Sequence, residues 1–257
     1  MIRLLVLALL LAVLPSAAAE AAALQPHRAS YSLSLDSADA TSGIVGVEGG
    51  LVIEWARTCD GWTGHQRLAF TTTAADGNRT PFDFRFTSWE SYDALRFRFT
   101  IENATGGVVD SRFEGEAQLD GDGAAGRAFF RVPEQRQVDL PAGTLFPVRH
   151  MQRLLAAAEQ GDGMATDRVF DGSSFDALSD VTTLIGPDRQ KEDPARGLWP
   201  MSMAYHRHAT PYEALPDFEV EMELNDTGVM NAVRLNYSDF VLRGALIQVE
   251  VLPAPLC

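Results

Sequence analysis

Residues 82–101 constrain this chain more than any other stretch. Phe82, Phe84 and Phe86 alternate with Asp83, Arg85 and Thr87, and Phe97, Phe99 and Ile101 alternate with Arg96, Arg98 and Thr100. A period of two is that of a β-strand with one dry and one wet face. With Tyr92-Asp93 at the centre of the turn, Phe86 falls opposite Phe99 and Phe84 opposite Ile101. A slip of one residue would set phenylalanine against arginine, so the dry face selects against it. Similar segments recur at 27–35, 44–55, 62–73, 108–113, 126–132, 167–170, 180–185, 199–206, 218–224, 229–237 and 244–251. Asp76-Gly77-Asn78, Gly106-Gly107, Asp120-Gly-Asp-Gly123 and Asp226-Thr-Gly228 punctuate them with turn chemistry. The pattern predicts a mainly β, antiparallel fold.

One segment breaks the pattern. Met151, Leu154, Leu155 and Ala158 follow helical spacing, Pro147 suits a first turn and Gly161 suits the position past the end. This predicts a helix over 147–160, with Arg149 and Arg153 on its polar side, either plugging the open end of a sheet or acting as a lid. Residues 187–197, around Lys191, are polar and broken by prolines, which predicts a loop.

The first residues read as an export signal. Arg3 is followed by eleven apolar residues at 4–14, a break at Pro15-Ser16 and the small residues Ala17-Ala-Ala19. That is the pattern of a signal peptide at 1–19, and the run falls short of the roughly 20 residues that span a bilayer. No later segment is a transmembrane candidate. A periplasmic location and a single domain over 20–257 follow as expectations. Two cysteines remain, Cys59 and Cys257. In an oxidising compartment an even pair is most simply a disulfide, the alternatives being a free thiol or half of a metal site. Neither has a cysteine or histidine beside it at ligand spacing.

Charge narrows the partners. Lys and Arg total 21 against 35 Asp and Glu, a net charge of −14, which argues against nucleic acid. His206 and His208 stand at i and i+2 and could hold a metal only with a third ligand such as His65 or His150; a solvated strand end before Thr210-Pro211 explains them as well. Asp171-Gly-Ser173 lacks the glycine pattern of a nucleophile elbow and reads as a turn. Glu219, Glu221 and Glu223 alternate with Val220, Met222 and Leu224, as on a solvated strand face. No phosphate-binding glycine loop is present, and no cofactor or metal is implied. The arginines of the 82–101 hairpin could offer a basic patch to an anionic head group unless neighbouring acids neutralise it.

An ordered set of short motifs runs through the chain: Leu24-Gln-Pro26-His27-Arg28-Ala29-Ser-Tyr31, Ser42-Gly43-Ile44, Cys59-Asp-Gly-Trp62 and Phe146-Pro147-Val-Arg-His150. It continues with Val169-Phe170-Asp171-Gly172-Ser173, Ile185-Gly186, Trp199-Pro200, Gly228-Val229, Tyr237-Ser-Asp239-Phe240 and the terminal Cys257. No single motif is specific, but the set with both cysteines resembles the EipB family of periplasmic cell-envelope integrity proteins. The resemblance implies a β-spiral, an incomplete and overlapping barrel, and a disulfide between Cys59 and Cys257. It also implies a role in keeping the Gram-negative envelope intact, with a link to periplasmic tetratricopeptide-repeat proteins. No enzymatic reaction comes with it, so no catalytic residue is assigned.

Together these readings predict a non-enzymatic periplasmic protein that binds a protein or a lipid-like ligand on an apolar sheet face. The candidate face comprises Phe82, Phe84, Phe86, Phe97 and Phe99 with Met151, Leu154 and Leu155 of the helix. The alternatives are an envelope-polymer hydrolase using Ser173 and His150, for which a histidine and an acid must converge on the serine, and a purely structural scaffold with no cavity of ligand size.

Overall fold

The structure is a computed structural model that describes residues 24–190, 196–208 and 215–257. The predicted signal segment, Lys191 and the Thr210-Pro211 turn lie outside the described residues. The first half of the chain is a meander: β1 (His27–Ala38), β2 (Ile44–Arg57), β3 (Gly61–Ala74), β4 (Arg79–Ser91), β5 (Arg96–Thr105), β6 (Val108–Leu119), β7 (Gly126–Val132) and β8 (Arg136–Leu140). After the two-residue β9 (Thr144–Leu145) and helix α1 (Pro147–Gln160) a second meander returns: β10 (Met164–Phe170), β11 (Leu178–Ile185), β12 (Leu198–Arg207), β13 (Phe218–Asn225), β14 (Met230–Tyr237) and β15 (Phe240–Val251). Among the described residues no helix is long and apolar enough to cross a membrane.

All the strands form one sheet in the order β8-β7-β6-β5-β4-β3-β2-β1-β15-β14-β13-β12-β11-β10-β9. The two ends of the described chain therefore meet in the middle of the sheet, where β1 and β15 pair antiparallel from His27↔Val251 to Ala38↔Phe240. The middle of the chain supplies both outer edges, β8 and β9, separated only by residues 141–143. A twisted sheet whose two edges are tied by so short a link must roll up. The result is a nearly closed, overlapping barrel. Edge strand β8 is short and exposes Arg136, Gln137 and Asp139, a composition that discourages pairing with other chains.

Rolling gives the inner face two fates. One core packs Tyr31, Leu33, Leu51 and Leu68 of the first meander against Met201, Met222, Leu224 and Leu242 of the second, with Leu154 and Leu155 of α1 among them. The other lies where the sheet overlaps itself: Phe97, Phe99, Ile101, Phe130 and Leu140 pack on Phe146 and Phe170. Rings stack there at 4.9 Å between Phe97 and Phe146 and meet edge-on at 5.8 Å between Phe99 and Phe170. The Asp171-Gly-Ser turn fits beneath this cluster because Gly172 holds φ +77° and a Cβ there would lie 2.5 Å from the Phe99 ring.

One expectation requires correction, and two strands fall outside the predicted segments. In the 82–101 hairpin, Phe86 faces Ile101 and Ser88 faces Phe99, a shift of two residues from the expected pairing. The turn is longer than two residues: Ala94 takes φ +56°, the Asp93 carboxylate accepts the Leu95 N–H at 3.0 Å, and the Ser91 hydroxyl accepts the Arg96 N–H at 3.0 Å. A shift of two keeps every side chain on its face, so hydrophobic patterning could not exclude it. Strands β8 and β9 also went unpredicted: β8 reads Arg-Gln-Val-Asp-Leu, too polar to alternate clearly, and β9 is a two-residue parallel pair with β10.

The disulfide between Cys59 and Cys257 is formed, with Cα atoms 5.7 Å apart. Cys59 lies in the β2–β3 turn, so the bridge pins the tail beyond β15 across the end of β1 onto β2. Closure itself is carried by the β1–β15 ladder, and the bridge clips one end of it.

Candidate functional site

Inside the roll lies a partly open cavity of about 710 Å³. Its walls come from both meanders and from the first turn of α1. Leu51, Ile53 and Trp55 of β2, Leu68 and Phe70 of β3, and Phe82, Phe84 and Phe86 of β4 form one side. Met203 and Tyr205 of β12, Phe218, Val220 and Met222 of β13, and Met230, Leu235 and Tyr237 of β14 form the other. An aromatic arc joins the two sides. Phe82 stacks on Phe70 at 5.0 Å, Phe70 approaches Tyr237 at 6.3 Å, Tyr237 meets Phe218 at 5.2 Å and Phe218 meets Tyr205 at 6.1 Å. Most of these rings are only partly buried. They present apolar surface that the protein itself does not cover.

The predicted ligand face divides. Phe82, Phe84, Phe86 and Met151 line the cavity, whereas Phe97 and Phe99 are sealed in the overlap core and Leu154 and Leu155 in the main core. Period-two alternation cannot separate these groups, because the roll occurs across strands rather than along one. Tyr205, Phe218, Met230 and Tyr237 were not singled out as site residues. Of these, Tyr237 stood within a recognised motif, and only the return of the second meander brings all four opposite the phenylalanines.

The helix wall is anchored by a residue that sequence reasoning also missed. Phe146 precedes α1 without a side-chain cap. Instead the Glu90 carboxyl, from β4, accepts the Val148 N–H at 2.8 Å and the Arg149 N–H at 2.9 Å. It thereby satisfies donors that the first helical turn leaves without partners. At the other end Gly161 is left-handed and its N–H donates to Ala158 at 3.1 Å. Glu90 is 2% exposed, and burial pushes its pKa up to about 8 against the two backbone hydrogen bonds. Between its unfolded value of 4.5 and about 8, the folded chain holds a proton that the unfolded chain releases. Glu90 therefore favours folding at low pH, and this contribution declines as pH rises through that window. The expected result is that wild-type stability falls relative to Glu90→Gln between these limits, by a few kcal/mol on the order of one per pH unit, in urea melts at stepped pH. A constant difference between the two proteins would contradict it.

The polar candidates do not converge. His150 is buried, with its Nε2 3.8 Å from the Asp167 carboxylate, which Arg153 engages at 2.5 Å. Burial, assisted by Arg153, lowers the His150 pKa to about 4. Ser173 donates its backbone N–H to Asp171 at 2.8 Å, as a turn residue does. Among the described residues no hydrogen bond links His150 to Ser173, and His150 Nε2 has no hydrogen-bond partner. His208 binds Asp180 at 2.7 Å, whereas His65 contacts Thr87 on the β3–β4 face. Glu221 pairs with Arg234 at 2.8 Å and Glu223 with Arg189. Of the hairpin arginines, Arg85 is neutralised by Asp83 at 2.7 Å, whereas Arg96 and Arg98 keep their charge and lie over the Trp89 ring at 5.7 and 4.9 Å.

A rolled antiparallel sheet enclosing an aromatic-lined cavity defines a β-barrel-like protein with room for a small apolar guest. The sequence profile of the EipB-like family matches residues 18–253, and the chain belongs to that family. It is 29% identical over 249 residues to the cell envelope integrity protein EipB of Brucella abortus (strain 2308), covering 92% of this chain and 87% of that protein. Its fold is similar to the crystal structure of a β-barrel-like protein, a domain of unknown function, from Brucella abortus. The TM-score is 0.81 at 28% identity, covering 90% of this chain and 99% of the other.

Proposed function

We propose that this protein is a non-enzymatic component of the periplasm that supports cell-envelope integrity by holding a lipid-like molecule in the cavity of its rolled sheet. The observation that carries the reading is the arc of partly buried rings around about 710 Å³. That size falls within the roughly 300–1,000 Å³ of small-molecule sites. A fully packed scaffold would not leave it. The name of the Brucella relative supports the envelope role. The export pattern at 1–19 and the disulfide support the location. A tetratricopeptide-repeat partner would have to recognise the outside of the sheet, since a helical repeat exceeds the cavity.

The test uses the neutral fluorophore N-phenylnaphthylamine, which brightens in apolar surroundings. Wild-type protein is expected to bind it saturably. Met230→Trp, which fills the cavity from a partly buried position, is expected to lose at least tenfold in affinity with the unfolding free energy from urea melts held within about 1 kcal/mol of wild type. A deletion strain sensitive to detergent should be restored by the wild-type gene and not by Met230→Trp. Full restoration by the filled-cavity variant would overturn the reading.

A further inference from the structure

We infer that the cavity selects a hydrocarbon chain whose polar head carries no negative charge. This deepens the ligand-binding reading and rests on it. Among the described residues, those that line the cavity include no arginine and no lysine, although arginine is abundant on the outside of the same sheet. Among the described residues, each carboxyl and imidazole group at the wall can be followed to its partner or its state. Asp83 turns outward, held by Arg67 at 3.0 Å and Arg85 at 2.7 Å. Asp217 accepts the Arg207 N–H at 2.9 Å. Asp171 is partly buried and accepts the Ser173 N–H at 2.8 Å, and desolvation raises its pKa. His27 bonds the Gln25 carbonyl through Nδ1 at 2.7 Å, and burial lowers its pKa, as it does that of His150. Both imidazoles are therefore neutral at neutral pH and contribute no positive charge.

A carboxylate or phosphate drawn into such a space would lose its water without meeting a cation. That is among the costliest transfers in a protein interior. The chain's net charge of −14 adds a long-range field that disfavours an anionic head at the opening. An alcohol, ester or amide head has partners: Gln66, Asn103, Ser173 and Ser179 all contribute to the lining. At roughly 30 Å³ per water-sized group the volume accommodates one medium-length chain with its head, and not two.

The experiment is displacement of N-phenylnaphthylamine from the full mature chain at neutral pH by tetradecanol and by tetradecanoate, each below its aggregation limit. Tetradecanol should displace the fluorophore with an apparent Kd at least tenfold below that of tetradecanoate. In Met151→Lys, which places an ammonium on the helix wall at a partly buried position, tetradecanoate should gain at least tenfold while tetradecanol does not. If that variant fails to fold, the wild-type comparison decides alone. Equal or stronger displacement by tetradecanoate would overturn the inference while leaving the cavity a ligand site. Failure of wild type to bind the fluorophore at all would overturn the reading beneath it.

Discussion

Truncating Phe97 to alanine is expected to lower the unfolding free energy by about 3–5 kcal/mol while leaving the cavity's affinity for N-phenylnaphthylamine within twofold. Phe97 is 1% exposed and stacks on Phe146 at 4.9 Å and Phe99 at 5.6 Å. Removing the ring leaves a void among side chains that the overlap holds in place, so both the transfer cost and the cavity cost are incurred. For a chain of this size the melting temperature should fall by roughly 10 °C. Phe84→Ala is the contrast. Phe84 is only partly buried and faces the cavity, so it should cost less stability and weaken binding of the fluorophore. Urea melts and fluorescence titrations on both variants separate the roles. Lost binding with unchanged stability in Phe97→Ala would return that residue to the ligand face.

Replacing both cysteines, Cys59→Ser with Cys257→Ser, should lower stability by about 3–5 kcal/mol without abolishing the sheet. The bridge closes a sequence separation of 198 residues, for which the loss of unfolded-chain entropy sets an upper value of about 5 kcal/mol. The folded state loses little else. The β1–β15 ladder has its own pairing from His27↔Val251 to Ala38↔Phe240, and the β2–β3 turn has bonds of its own, including Tyr92 Oη to the Thr58 carbonyl at 2.5 Å and Thr58 Oγ1 to Asp60 at 2.9 Å. The far-ultraviolet spectrum should stay that of a sheet while the denaturation midpoint falls. Amide exchange should quicken first in residues 252–257. An unchanged midpoint would mean that the bridge constrains nothing the ladder does not already hold.

Local pattern carried much of the architecture. Helix α1 spans the predicted 147–160 because its punctuation, Pro147 and Gly161, and its apolar spacing are all local. The strands that alternate strongly emerged at close to their predicted positions for the same reason. Glu90 shows the limit. In the sequence it is one acid ending an alternating run, and nothing nearby announces that the Val148 and Arg149 amides will arrive above it. The hydrolase candidates show a second limit. Ser173 and His150 both line the cavity, but no hydrogen bond joins them among the described residues.

The sequence by itself determined that this chain forms antiparallel strands with one apolar face and one long amphipathic helix, because those outcomes depend on side-chain period and turn chemistry within a few residues. Tertiary structure alone decided which phenylalanines are core and which surround a cavity. That division depends on where a twisted sheet overlaps itself, and the overlap follows from β1 meeting β15 while β8 and β9 stay linked by residues 141–143. Such long-range pairing is set by the whole sheet's twist and closure, which no local stretch of residues encodes.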